Sequence, residues 1–347
     1  VLDKEYVLNT EIAQKKIAAP ENQQETYTGD QISYTKVPSN AVYSVKEYSQ
    51  DEVINVGTYT VTFEIKTQHQ RNYTWDTVDT ATLTIVEENL IAVVTNTANV
   101  YYDRTTKAGV SVRFRNAAGE TISLPANSYT ITYDGLTDKP RYAKEYDVVI
   151  SLTNQNYLIE SSTTTGFTLE DSRTITGKFT ILKARIFVDE LDLGADHKHI
   201  YNGSDYNADG NFFTTHYSVT NQLNSGIIPL EYDGTDGYQV TYNEAAELKN
   251  AATYTVKYTL YGASYDNFII VDGDNECTEW TSTVVIQAAN IRISVTKSYT
   301  YTGSAQAVDI VLTNTSGTNV RPTNALSIQY QKGLETEFLN AGLYTVT

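Results

Sequence analysis

Four histidines, at positions 69, 197, 199 and 216, are the side chains best suited to ligate a metal or move a proton near neutral pH. His197 and His199 share one side of the run Asp196-His197-Lys198-His199, and alternating histidines fit two positions of a metal site. Spacing places no third ligand beside them, so the run reads as an exposed loop. A second candidate is Asp205-x-Asn207-x-Asp209-Gly210. Oxygens at the first, third and fifth positions, with glycine at the sixth, form the front half of a calcium-chelating EF-hand loop. The twelfth position is His216 rather than the bidentate glutamate. Two readings stand, a calcium loop on Asp205, Asn207 and Asp209 or a polar Asn/Asp/Gly turn, and the missing glutamate favours the turn. Asp272-Gly273-Asp274-Asn275-Glu276 is a thinner version of the same pattern.

Other chemistry lacks its signature. The sequence has no Gly-x-Ser-x-Gly elbow, no phosphate-cradling glycine loop and no HExxH. Carboxylates abound, but no pair is set apart for glycosidase work. Cys277, the sole cysteine, has no basic neighbour within five residues to lower its pKa, so no nucleophile is expected. The expectation is a protein without catalysis and without a cofactor, calcium being the one candidate.

Composition narrows the partners. The 347 residues hold 42 acidic against 25 basic side chains, a formal net charge of −17. Such a surface repels both phosphate backbones and anionic bilayers. No run of about 18 apolar residues is present to span a membrane. The opening VLDKEYVLNT lacks the basic and apolar regions of a signal peptide, so any targeting or anchoring segment is expected elsewhere. The chain carries 28 tyrosines and no methionine, which suits pleated, half-buried surfaces and an oxidising exterior. A single cysteine excludes an intramolecular disulfide, leaving packing to hold each module.

The elements that position these residues repeat. An apolar pair with four residues between closes one β-rich run and opens the next, as Ile12–Ile17, Ile85–Leu90, Ile181–Ile186 and Ile286–Ile291. A Tyr-x-Gly/Asp motif follows: Tyr27-Thr28-Gly29, Tyr101-Tyr102-Asp103, Tyr201-Asn202-Gly203 and Tyr301-Thr302-Gly303. A Tyr-x-Val strand comes next, at Tyr59, Tyr146, Tyr254 and Tyr344, and then an asparagine–aromatic pair, at Asn72-Tyr73, Asn156-Tyr157 and Asn267-Phe268, more loosely Glu5-Tyr6. The modules start 73, 96 and 105 residues apart, the size of a small sandwich and too long for a solenoid repeat. The spacing predicts modules over 18–90, 91–185 and 186–290, an incomplete fourth over 291–347, and residues 1–17 as the closing strands of a preceding or neighbouring module.

Within the modules the period is two. Tyr59, Val61, Phe63 and Ile65 alternate with Thr58, Thr60, Thr62 and Glu64, and Val110, Val112 and Phe114 alternate with Ser111, Arg113 and Arg115. Asp134-Gly135, Asp233-Gly234 and Asp236-Gly237 supply turns. Only Glu244–Asn250 reads as helix. The predicted fold is all-β, a tandem of immunoglobulin-like sandwiches, with a β-grasp-like arrangement as alternative. Six prolines and no flexible linker predict close coupling, each apolar pair forming a joint with one side chain in either core.

At these residues the pattern resembles the MBG-type tandem repeats of bacterial cell-surface proteins and adhesins. Tyr301-Thr302-Gly303 followed by Asn340-Ala341-Gly342-Leu343-Tyr344-Thr345-Val346 matches best, and Phe179-Thr180-Ile181-Leu182-Lys183-Ala184 matches the junction. Module two departs, with Asp103 for the glycine and Lys144-Glu145 for the small pair. The resemblance implies an extracellular, cell-surface role in a long array, a stalk or a filament, and is silent on a ligand. The alternative is an adhesin whose loops bind a glycan, a host protein or matrix. The incomplete end predicts one partner, another copy joined head-to-tail, residues 1–17 completing 291–347 by strand donation.

Overall fold

The computed structural model describes residues 10–193, 199–243, 247–295, 298–314, 329–331 and 345–346. The chain is nearly all β and divides into two compact units, residues 1–183 and 184–347.

The first unit holds two sandwiches. The first comprises β1 (Lys15–Ile17), β2 (Gln23–Thr26), β3 (Tyr43–Tyr48), β4 (Gly57–Ile65), β5 (Tyr73–Trp75) and β6 (Thr80–Val86). Its main sheet runs β2-β6-β4-β3, and β1 pairs in parallel with β5. The second comprises β7 (Glu88–Thr95), β8 (Val100–Tyr101), β9 (Ser111–Arg115), β10 (Thr121–Ile122), β11 (Tyr129–Tyr133), β12 (Lys144–Leu152), β13 (Tyr157–Ser162), β14 (Phe167–Asp171) and β15 (Thr174–Leu182). One sheet runs β10-β9-β7-β13, the other β11-β12-β15-β14, with β8 also on β15. Phe114 meets Tyr129 edge-on across the two sheets, ring centroids 5.3 Å apart.

The second unit repeats the plan. It contains β16 (Ala184–Glu190), β17 (His199–Ile200), α1 (Phe212–His216), β18 (Tyr217–Asn221), β19 (Gly237–Tyr242), β20 (Ala252–Tyr261), α2 (Gly262–Asn267), β21 (Phe268–Asp272), β22 (Asn275–Cys277) and β23 (Glu279–Gln287). Its sheets run β18-β16-β21-β22 and β17-β23-β20-β19, and Tyr217 packs edge-on against Trp280 between them at 5.5 Å. Beyond them β24 (Ile291–Val295) pairs antiparallel with β25 (Ile310–Asn314).

Alternation drives these strands. Tyr59, Val61 and Phe63 on β4 are buried while Thr58 and Thr60 face water, and Tyr146, Val148 and Ile150 on β12 and Tyr254, Val256 and Tyr258 on β20 do the same. Asp134 and Gly135 both take positive φ, 50° and 80°, closing a tight hairpin in which Tyr133 and Leu136 exchange both backbone hydrogen bonds. The helices fall elsewhere than expected. Residues 247–250 of the predicted Glu244–Asn250 segment are irregular, and 244–246 lie outside the described residues. The observed helices, α1 and α2, instead carry buried faces, Phe212 and Phe213 on α1 and Ser264 and Asn267 on α2.

The strand pairing corrects two expectations. Residues 15–17 belong to the first sandwich, because β1 is paired to β5 through Lys15, Lys16 and Ile17, so they are not strands lent to another module. The module edges move by a few residues: β7 already belongs to the second sandwich from Glu88, β15 ends the first unit's ladder at Leu182, and β16 opens the second unit at Ala184. Residues 1–9 and most of 315–347 lie outside the described residues.

Candidate functional site

Three of the recurring landmarks acquire physical roles. The tyrosine of each Tyr-x-Val strand donates its hydroxyl to the carbonyl four residues upstream: Tyr59 to Asn55 at 2.7 Å, Tyr146 to Tyr142 at 2.9 Å, Tyr254 to Asn250 at 3.0 Å. This pins the entry into a long central strand of each module, β4, β12 and β20. Tyr344 lies outside the described residues.

The Tyr-x-Gly landmark is the exit from a short parallel strand. Tyr27, Tyr102 and Tyr201 each donate the backbone N–H to the closing strand, to Val86, Leu182 and Gln287 at 2.8–2.9 Å. The equivalent of Tyr27 is therefore Tyr102, one residue later than the sequence pattern placed it. Two residues on, Gly29, Arg104 and Gly203 all take positive φ, 87°, 65° and 79°. The residue between them, Thr28, Asp103 or Asn202, accepts the amide two positions ahead through its side-chain oxygen. Arg104 thus occupies a left-handed position that glycine fills in the other copies.

The asparagine–aromatic pair lies at the joint inside the first unit. A single residue, Glu87, separates β6 from β7. Ile85 and Leu90 are buried, one on each of these strands and in different sheets. Across the joint the Asn156 side chain accepts the Val56 N–H through Oδ1 and donates through Nδ2 to Asn55 Oδ1, both at 2.9 Å. Its backbone is held by an Asx turn, Asn154 Oδ1 accepting the Asn156 N–H at 3.0 Å, while Arg173 anchors the Asn154 carbonyl at 2.9 Å. Tyr27 meets Tyr157 edge-on, centroids 5.2 Å apart. Burial, reinforced by Tyr27, pushes the Tyr157 hydroxyl up to about 12.

The remaining joint residues separate. Ile181 on β15 and Ile186 on β16 are each buried in their own unit, and Ile286 is buried on β23. Ile291 is 45% exposed and Ile12 is 97% exposed. Ile12 lies outside any strand, because pairing begins only at Lys15, and Ile17 on β1 is half-buried beside Trp75 in the ladder.

The acidic loop is drawn inward to its own backbone. Asp205 Oδ1 accepts the amides of Asn207 and Leu248 at 2.9 and 2.8 Å, Asn207 Oδ1 that of Phe212 at 3.2 Å, and Asp209 Oδ1 that of Asn211 at 3.0 Å. The backbone bond from Asn211 lowers the Asp209 carboxyl below its ordinary value. The Asn207 and Asn211 bonds are those of Asx turns, and the other two tie the loop to Phe212 and Leu248. Among the described residues no three His, Cys, Asp or Glu side chains converge as a metal set. His199 and His216 do come together, centroids 5.0 Å apart, against the Phe212 ring, and border an open cleft of about 560 Å³. His197 lies outside the described residues. His69 contacts Tyr73. Burial raises the Cys277 thiol on β22, so it stays protonated near neutrality.

No family model matches the chain, and no curated protein matches it. Among solved structures it is similar to domains 4–9 of the surface layer protein SbsC, at 12% identity and TM-score 0.31, over 89% of this chain and 55% of that one. A Bacteroides ovatus protein, SGBP-B of a mixed-linkage glucan utilization locus in complex with a mixed-linkage heptasaccharide, gives 11% identity and TM-score 0.15 over 86% and 74%. The chain spans about half the length of the SbsC fragment. At these scores the likenesses carry no functional argument, and the all-β assignment rests on the strand pairing itself.

Sequence reading found the landmarks but not their meeting. Nothing in the spacing says that Asn156 reaches back 100 residues to Val56, or that Tyr27 and Tyr157 share a contact.

Proposed function

We propose that the chain is a non-catalytic spacer region of a microbial cell-surface protein, built of MBG-type modules that extend or assemble the parent outside the cell. The observation that carries this reading is the constructed joint. One residue links β6 to β7, apolar side chains are buried on both strands, and Asn156 fixes the two modules by a pair of hydrogen bonds. A flexible tether would leave the Asn55 side chain and the Val56 N–H to water. A spacer gains from such a joint because stiffness, not affinity, is what it supplies. The same two-sheet plan recurs in the second unit, as a chain grown by duplication of one part requires.

The test is electron microscopy of the parent protein together with small-angle scattering of this chain. Rod-like particles with a length set by the number of modules are expected. Compact particles, or a scattering profile typical of freely jointed domains, would overturn the spacer reading.

A further inference from the structure

Two exposed tyrosines of the third module touch each other beside an exposed leucine. Leu230 and Tyr232 lie on the loop between β18 and β19, and Tyr261 ends β20, with exposures of 58%, 38% and 36%. The Tyr232 and Tyr261 rings touch, centroids 5.0 Å apart and planes 45° to each other. Tyr261 stands opposite Gly237 in the ladder, so no strand partner's side chain competes for the space beside it.

The loop beneath is built rather than loose. Gly237 has φ 106°, and a Cβ there would run into the carbonyls of Leu230 and Glu231. Gly262 has φ 54°, and a Cβ there would meet the Thr235 carbonyl at 2.5 Å. Asp236 Oδ1 accepts the amides of Gly237 and Ser264 at 2.7 and 2.8 Å, tying the loop to α2. Asp233 Oδ1 accepts the amides of Thr235 and Asp236 and the Thr235 hydroxyl, each at 3.0 Å, and Tyr232 donates its hydroxyl to the Gly234 carbonyl at 2.9 Å. The Oδ2 atoms of Asp233 and Asp236 make no hydrogen bond among the described residues. The Tyr232 ring, tied to Gly234, rests against the Tyr261 ring on a loop whose two carboxylates each keep an oxygen outside these bonds.

We propose that Tyr232 and Tyr261 form a binding platform for a neutral carbohydrate, with Asp233 and Asp236 accepting its hydroxyls. The rings contact each other, so they leave no slot that could surround an ammonium ion; they offer one bent apolar surface, which fits the C–H face of a pyranose. Carboxylate oxygens beside it suit hydroxyl donors. The chain's charge of −17 disfavours an anionic glycan. Preorganisation removes the ordering cost that an exposed aromatic loop would otherwise carry on binding. This site is independent of the spacer reading and stands or falls separately.

The experiment is native gel electrophoresis of the 347-residue chain through gels containing hydroxyethylcellulose, xylan, mannan or pullulan. Retardation by at least one polysaccharide is expected, weakened at least about tenfold by Tyr232→Ala or Tyr261→Ala, as for truncation of aromatic anchors. The Phe variants at both positions keep the ring faces and should retain binding, as should Tyr201→Ala, which removes another exposed tyrosine of the module. Circular dichroism of each variant shows that the fold is intact. No retardation in any gel overturns the proposal, as does unchanged retardation of the double alanine variant. Concentration-dependent self-association lost in the double variant, without any polysaccharide binding, overturns it in favour of a second copy.

Discussion

The first unit contains the same two-residue landmark twice, with opposite fates. Asn156-Tyr157 is sealed: the asparagine bridges to Asn55 and Val56, and the tyrosine is 5% exposed under Tyr27. Asn72-Tyr73 is open: Asn72 is exposed, its side chain makes no hydrogen bond among the described residues, and the Tyr73 ring has His69 for company at 5.9 Å. Both pairs nevertheless sit beside a parallel ladder of the same kind, β1 with β5 and β7 with β13. The parallel ladder is common to both copies, and in the second it is accompanied by the bridge from Asn156 to Asn55 and Val56.

The largest expected difference between the two sites comes from removing the rings. Tyr157→Ala empties a buried position and should cost about 3–5 kcal/mol, while Tyr73→Ala, at a half-buried one, should cost about 1 kcal/mol. Urea denaturation of the full chain measures both, and equal losses would break the comparison. Next come the asparagines. Asn156→Ala strands the Val56 N–H and the Asn55 side chain and should cost about 1–3 kcal/mol, against no more than about 0.5 kcal/mol for Asn72→Ala. A double-mutant cycle of Asn55→Ala with Asn156→Ala sharpens this, because a coupling near zero would mean that the bridge is not felt.

The joint should also respond to alkali. Tyr157 is raised from the ordinary tyrosine value of 10.0 to about 12 by burial first and Tyr27 second. A pKa higher in the folded state means that the neutral hydroxyl is the form the fold favours. That stabilisation is fully present below pH 10 and declines as pH rises through about 12. Thermal melts between pH 9 and about 12 should show it, and Tyr157→Phe should make that limb less steep, the other buried tyrosines keeping their share, without altering the neutral or acidic range. The smallest effect is expected from calcium. With Asp205, Asn207 and Asp209 each spending an oxygen on backbone amides, millimolar calcium should leave the melting temperature unchanged; a rise abolished by Asp205→Ala would restore the chelating reading.

Strands with a long alternating run were legible in the sequence, and short ones were not. Tyr59, Val61 and Phe63 announce β4 because burial on one face selects every second residue. β8 and β17 are two residues long, too short to show a period, and their partners are set by parallel pairing with β15 and β23. The same shortness explains the slip at Tyr101-Tyr102: with two adjacent tyrosines and Arg104 where glycine was sought, only the ladder fixes the register. The helices at Phe212 and Gly262 escaped because one turn or so of helix leaves no periodic trace. At the candidate carbohydrate site, Asp233-Gly234 and Asp236-Gly237 were legible as turns, but the meeting of Tyr232 with Tyr261 depends on where those turns dock.

The position of the entry and exit strands has a mechanical consequence. In the second sandwich the chain enters on β7, flanked by β9 and β13, and leaves on β15, flanked by β12 on one side and by β14 and β8 on the other. In the third it enters on β16, between β18 and β21, and leaves on β23, between β17 and β20. Neither end of either module is an edge strand that could be peeled one hydrogen bond at a time. Tension along the backbone must drag an interior strand past two neighbours at once, with the ladder bonds lying across the direction of pull. Many bonds then share the force and fail together, so these two modules should resist stretching until each yields in one abrupt step.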